Sequence, residues 1–433
     1  MVSRRDFMAG SAAAGSALLV GRSTLGEARS QAPAETDVAA AENGNGGGRS
    51  VVTPNGISLP YRMVEGAKVF HLMAEPVEHE FAPGLLGSCW GYNGRTPGPT
   101  IEAVEGDRVR VYVTNRLPEP TTVHWHGIIL PNGMDGVGGL NQPYIRPGET
   151  FRYEFTFLHP GTYMYHPHVD EMTQMGMGLM GMIVVHERDL RYPADRDFAI
   201  MLAEWFVPVG ARRPDPREMT DFNVLTMNSK AFPGSEPLVA RTGQRVRIRF
   251  GNLSAMHNHP IHLHGYAFRI TGTDGGRIPE TAQWPETTVL VPVGATRDVE
   301  FVADAPGDWA LHCHFTHHLM NQMGHGGPNM IGLDATGLDT RIRSLLPGYM
   351  TMGDRGMSGM GDMGMPVPDN SIPMKGIPGP HDYIDMGGMF TVLKVRDDID
   401  GYADPGWYEN PPGTLARQAS PEELSEDGID VTG

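Results

Sequence analysis

Apolar and polar residues alternate along short stretches of this chain, and the longest alternating stretches occur twice. Gly106-Asp107-Arg108-Val109-Arg110-Val111, followed by Asn115, recurs as Gly243-Gln244-Arg245-Val246-Arg247-Ile248 with Asn252. A period of two places every second side chain on one face, so these segments predict half-buried strands. Each leads into a His-x-His-Gly, from His124 to Gly127 and from His262 to Gly265. Farther on, Pro147-Gly148-Glu149-Thr150 through Pro160-Gly161-Thr162-Tyr163-Met164-Tyr165-His166 recurs as Val293-Gly294-Ala295-Thr296 through Pro306-Gly307-Asp308-Trp309-Ala310-Leu311-His312. One β domain present twice accounts for both repeats. Short strands divided by Pro-Gly turns predict an all-β chain, with a Greek-key sandwich or barrel for each copy. The copies are placed at residues 53–190 and 195–335. Residues 336–433 form an extension with little periodicity except Met389-Phe390-Thr391-Val392-Leu393-Lys394-Val395, which predicts one added strand. From about Thr414 the end is polar and acidic and predicts disorder.

Composition agrees with this division. The 433 residues leave room for two or three cores, and 56 Gly and 36 Pro suit a loop-rich β protein better than a helical bundle. A formal charge of -17 argues against nucleic acid and against an anionic membrane surface as partners. At the N-terminus, Ser3-Arg4-Arg5-Asp6-Phe7 precedes an apolar Gly/Ala-rich run from Met8 to Gly21, and Ala32-Pro33-Ala34 offers a cleavage site. Residues 1–34 thus resemble a twin-arginine export signal, which predicts a periplasmic or otherwise exported protein. That run is too short and too weakly apolar for a membrane span, and nothing later reaches spanning length. Residues 35–52 read as a flexible linker.

The candidate chemistry lies in four His-x-His units: His124-Trp125-His126, His166-Pro167-His168, His262-Leu263-His264 and His312-Cys313-His314. On a strand, residues i and i+2 leave the same face, so each unit can give two imidazoles to one metal cluster, while Cys313 points the other way. Alignment of the copies shows what is not shared. In the second copy His259 precedes the pair His262/His264, and Cys313 is followed by His318 and Met323; the first copy has Thr121, Pro167, Met172 and Met177 at those places. Two histidines, a thiolate and a weak thioether make a blue-copper electron-transfer site, so one such site per chain is expected, in the second copy. The spacing selects His259 over His257 and His318 over His317. Cys89, left without a disulfide partner, reads as a small core residue.

With these motifs the chain resembles a multicopper oxidase of the two-domain, laccase-like branch, over about residues 90–330, including Asn93-Gly94-Arg95-Thr96-Pro97-Gly98-Pro99-Thr100. The resemblance implies two cupredoxin-like Greek-key β-sandwich domains and a methionine-rich C-terminal extension. It implies four coppers per chain equivalent: type 1 on His259, Cys313, His318 and Met323; type 2 on His124 and His262; a type 3 pair on His126, His166, His168, His264, His312 and His314. Asp135 matches an acid that relatives use for protons near the cluster, and also reads as a turn residue before Gly136. Where the family often has an acid after the type 1 histidine, this chain has Leu319. The spacer domain of three-domain relatives is absent, and the resemblance then implies a homotrimer whose neighbouring subunits complete each cluster.

Dioxygen is the implied electron acceptor. Nine methionines between Met350 and Met389, in a Gly/Asp/Pro-rich setting, favour Cu(I) as the substrate that is oxidised, because thioether is a soft ligand. A second group, Met172, Met175, Met177, Met180 and Met182, reads as adaptable packing. Phenol oxidation by a laccase is the alternative. A copper nitrite reductase would keep its blue site in the first domain and would not need four His-x-His units. A non-enzymatic copper carrier would not need eight histidines beyond the blue site.

Overall fold

The computed structural model describes residues 50–208, 210–322, 329–330, 341, 344–345, 350–351, 369–372 and 377–431. The segment expected to be an export signal, most of the expected linker, Met323 and most of the methionine-rich segment lie outside the described residues. Among the described residues almost all regular structure is strand, arranged as two sandwiches.

In the first, one sheet orders Arg62–Val64, Ala67–Ala82, Arg108–Asn115 and Thr150–Thr156, with Leu85–Tyr92 also paired to Ala67–Ala82. The facing sheet orders Gly98–Val104, Gly181–His186, Gly161–His166 and His124–His126. Between them Leu72, Val111, Val113, Trp125, Phe155 and Ile183 form a core. The alternation in Arg108–Asn115 does what a period of two predicts: Val109, Val111 and Val113 are buried, while Arg108 and Arg110 face outward to Glu154.

The second sandwich repeats the plan. Its larger sheet centres on Arg196–Trp205, Arg245–Asn252 and Thr296–Val302. Its other sheet orders Leu238–Arg241, Phe390–Arg396, Gly307–Cys313, His259–Leu263 and Thr288–Val291. The strand expected near residue 389 is therefore inserted between two others and completes this sheet. Farther on, the end expected to be disordered contains a short helix, Pro421–Glu426. Ser420 caps it by a reciprocal bond with Glu423, and Pro421 occupies the first turn.

The two halves share a third core. Met164, Met182 and Val184 of the first pack against Ala199, Met201, Ala203 and Trp205 of the second. Gly251 makes this possible, because a Cβ there would lie 2.9 Å from Met164 Sδ. Burying side chains as large as Met164 and Trp205 stabilises by about 2–3 kcal/mol each. Charge crosses the junction as well: Arg249 bonds Asp197 at 2.7 and 2.8 Å and donates to Thr162 of the first half at 2.9 Å. Of the first methionine group, Met177, Met180 and Met182 are buried and Met175 partly so, while Met172 is exposed. Cys89 is buried among apolar neighbours, and burial pushes its thiol up.

Candidate metal centre

Strand register brings the histidines together in the same way in both halves. His124 lies opposite His166 across one sheet, and His262 lies opposite His312 across the other. The residues between point inward: Trp125, Leu263 and Cys313 are buried in their cores. Four rings gather on each outer face. Those of His126, His166 and His168 lie 5.3–5.6 Å from His124, and those of His264, His312 and His314 lie 4.8–5.7 Å from His262.

Backbone carbonyls orient the rings. Nδ1 bonds a carbonyl in His124 (Asp135, 2.7 Å), His166 (Pro167, 2.8 Å), His262 (Thr287, 2.7 Å) and His312 (Cys313, 2.9 Å). Donation from Nδ1 leaves Nε2 as the free ligand atom. His166 Nε2 lies 3.2 Å from His126 Nδ1, and His312 Nε2 lies 3.1 Å from His264 Nε2. Two nitrogens bonded to one ion at about 2.0–2.1 Å lie roughly 3 Å apart, so these pairs fit a shared metal. Burial lowers the pKa of His166 to about 3, and lowers those of His126, His264 and His312. The rings are therefore neutral, the form that ligates. Among the described residues, ring contacts run within each set of four and none joins the two sets.

Among the described residues, the second half alone has a buried site of two histidines and a cysteine. Cys313 Sγ lies 3.3 Å from His318 Nδ1 and 3.7 Å from His259 Nδ1, and all three residues are buried. Burial lowers His259 to about 3 and His318 to about 2, and pushes the Cys313 thiol up to about 12. Neutral imidazoles and a thiol whose proton a metal must displace make a donor set suited to a soft metal. Met323, the expected thioether, lies outside the described residues. In the first half a hydrogen bond replaces the metal site: Thr121 Oγ1 donates to Gln174 at 2.7 Å, and Gln174 donates to the Pro120 carbonyl at 2.9 Å.

Asp135, named from the sequence, and two acids that sequence reasoning did not assign also stand near these sites. Asp135 closes a turn and also sits at the first histidine set, with Oδ1 3.4 Å from His124 Nδ1. Glu171 lies 3.1 Å from His168 Nε2. Beside the sulfur site, Glu204 accepts the backbone N–H groups of Met256 and His257 and binds the His257 ring at 2.8 Å. The His257 ring lies 5.4 Å from that of His318, and the His317 ring 4.2 Å from it. Glu204 ends an apolar strand and carries no motif, so only the fold reveals its place.

Two family models, both described as multicopper oxidase, match residues 74–190 and 208–326. Copper resistance protein A of Escherichia coli is 28% identical over 319 residues, covering 62% of this chain and 51% of that one. Multicopper oxidase MmcO of Mycobacterium tuberculosis is 35% identical over 225 residues, 44% of each chain. The chain thus spans about half the length of the curated relatives it matches. Among solved structures, the blue copper oxidase of Nitrosomonas europaea is similar with a TM-score of 0.57 and 25% identity, over 83% of this chain and 94% of that one.

Proposed function

This chain belongs to the multicopper oxidase family, and on that premise we propose that it couples one-electron oxidation of a reduced substrate, cuprous ion foremost, to the reduction of dioxygen to water. The observation that carries this reading is the tripeptide His312-Cys313-His314. Its sulfur faces His259 and His318, while its two imidazoles join the second histidine set. Copper, when bound, supplies one-electron exchange at the sulfur site and dioxygen reduction at the histidine sets. In this reading type 1 copper takes His259, Cys313, His318 and Met323, type 2 takes His124 and His262, and the type 3 pair takes the other six histidines. The peptide bonds on either side of Cys313 give electrons a short covalent route. Four electrons and four protons convert one dioxygen to two waters, and the Asp135 carboxylate, 3.4 Å from His124 Nδ1, is placed to relay protons.

In this reading each set of four histidines is half of a cluster, and among the described residues no ring contact joins the two sets. A homotrimer in which the first half of one subunit faces the second half of the next completes every cluster. Leu290, an exposed apolar residue on the face that carries His262, suits such an interface. Cuprous ion is favoured because methionines, whose thioethers are soft ligands, crowd the C-terminal extension. Copper tolerance in an exported compartment follows, with the twin-arginine segment as its address.

The test is copper content, light scattering and oxygen consumption of the loaded protein. Four coppers per chain, a trimer and four electrons per dioxygen are expected. A fully active monomer would remove the trimer, and no oxygen uptake would remove the enzyme. The second reading, phenol oxidation, draws support from similarity to rice laccases such as putative laccase-18, which is 30% identical over 234 residues. Steady-state rates with Cu(I) and with a substituted phenol separate the two.

A further inference from the structure

The duplication provides an internal comparison around the sulfur site. In both halves an asparagine closes the turn that leads to the His-x-His strand. Leu117 N–H donates to Asn115 Oδ1 at 2.9 Å, and Ser254 N–H donates to Asn252 Oδ1 at 2.9 Å. Each asparagine amide donates onward to two carbonyls, those of Glu119 and Ile145 in the first half and of His257 and Val291 in the second. The backbone plan is shared and the side chain is not: Leu117 is 1% exposed and Ser254 2%. A buried hydroxyl in place of a buried isobutyl group is costly unless it is hydrogen-bonded. Ser254 Oγ lies 2.6 Å from Nε2 of His259, whose place in the first half is taken by Thr121. The other ring nitrogen of His259 is the one that faces Cys313 Sγ.

We propose that Ser254 is a positioning residue for the type 1 site: its hydroxyl accepts the Nε2–H of His259 and so holds the tautomer whose bare Nδ1 faces the metal. The proposal rests on the copper reading above. A buried imidazole without that acceptor gains by moving its proton to Nδ1, where the Cys313 sulfur can accept it, and the ligand lone pair is then lost. Accepting a hydrogen bond from Nε2–H also makes the imidazole a stronger donor to Cu(II). Loss of the hydroxyl therefore weakens type 1 copper binding and raises the reduction potential. Leu117 needs no such group because Thr121, bonded to Gln174, stands where the second half has His259.

Ser254→Thr and Ser254→Val add the same bulk and differ only in the hydroxyl, so their comparison in the copper-loaded full chain isolates the hydrogen bond. The Thr variant is expected to keep the wild-type blue band and potential. The Val variant is expected to bind type 1 copper roughly ten- to hundredfold more weakly, with a higher potential and an unchanged type 2 spin-resonance signal. Equal potentials and affinities in the two variants overturn the proposal. Should the Val variant fail to fold, the tautomer can be read in metal-free wild type from histidine nitrogen resonances or neutron diffraction. A proton on Nε2 of His259 is expected there, and a proton on Nδ1 overturns the proposal. Wild type lacking any blue band after copper loading would sink the copper reading itself, a result distinct from either tautomer.

Discussion

Thr121 donates a 2.7 Å hydrogen bond to Gln174 in the first half, at the place where the second half sets His259 beside Cys313. Both residues are buried, so the bond satisfies a polar pair that water cannot reach. A neutral hydrogen bond thus occupies the place that a ligand set has in the second half. Thr121→Val leaves the Gln174 carbonyl oxygen without its partner and should cost about 1–3 kcal/mol. Denaturant unfolding checks the cost, and the blue band should be unchanged, because no type 1 ligand is touched.

Cys313 joins the two kinds of site. Cys313→Ser removes the thiolate while keeping a small polar residue in the same strand. The blue band should vanish and one copper per chain should be lost, with the type 2 signal retained. Turnover with any one-electron reductant should fall to background. Copper uptake by the wild-type trio also has a pH signature. The thiol stands near 12 and both imidazoles are already neutral above pH 5, so binding releases one proton. Type 1 affinity should rise about tenfold per pH unit between roughly pH 5 and 8 in competition with a chelator.

His79 provides a pH test remote from the metal sites. Burial lowers it from 6.5 to about 4, and it sits 4.9 Å edge-on to Phe81 with a 2.6 Å bond to the Ser229 carbonyl. Because the folded value is below the unfolded one, the unfolded chain takes up the proton first on acidification. Its contribution is fully present above about pH 6.5 and is lost as pH falls towards 4. At pH 5 the loss should be about 2 kcal/mol relative to neutral pH. His79→Gln should flatten the dependence of unfolding free energy on pH by that amount, and an unchanged slope would refute it.

Much of this arrangement was legible in the sequence because strands repeat every two residues. The His-x-His units show their shared face directly, and comparison of the copies isolates His259, Cys313 and His318. Contacts made by single residues across long separations were not legible. Glu204 reaches His257 from another strand, and nothing in the sequence around either announces the pair. Strand Arg196–Trp205 was equally opaque in its role, since it is buried throughout. Phe198, Ile200 and Leu202 enter one core, and Ala199, Met201, Ala203 and Trp205 enter the core between the halves. Alternation marks a strand with one wet face, and a strand with two dry faces carries no such mark. The place of Phe390–Arg396 between two distant strands was hidden for a related reason: pairing partners are not written in a strand's own pattern.

Asp135 touches His124 and also closes a turn, so its substitution must separate two roles. Asp135→Asn keeps the size and can keep the turn, in which the backbone N–H bonds the Asn132 carbonyl at 3.2 Å. If the carboxylate supplies protons, turnover should fall by about a hundredfold or more, and its pH profile should change. Thermal stability and the copper spectra should stay close to wild type. Unchanged turnover would leave Asp135 as a turn residue.

Leu290 provides the sharpest test of assembly. It lies opposite Pro260 across the sheet, and Thr288 lies opposite His262, so Leu290 shares the outer face that carries His262 and His264. It is 51% exposed, an apolar residue on a strand whose neighbour Val291 is fully buried. A monomer gains nothing from that exposure, whereas a subunit interface would cover it. Leu290→Glu places a charge on the face without disturbing the core. The type 1 site is built within one chain and the trinuclear cluster, in the proposed trimer, between two. The variant should therefore dissociate to monomers by light scattering and lose its type 2 signal and oxygen turnover, yet keep the blue band. Loss of both copper signatures together would show that the face supports the fold of the second half, and retention of both would place the interface elsewhere.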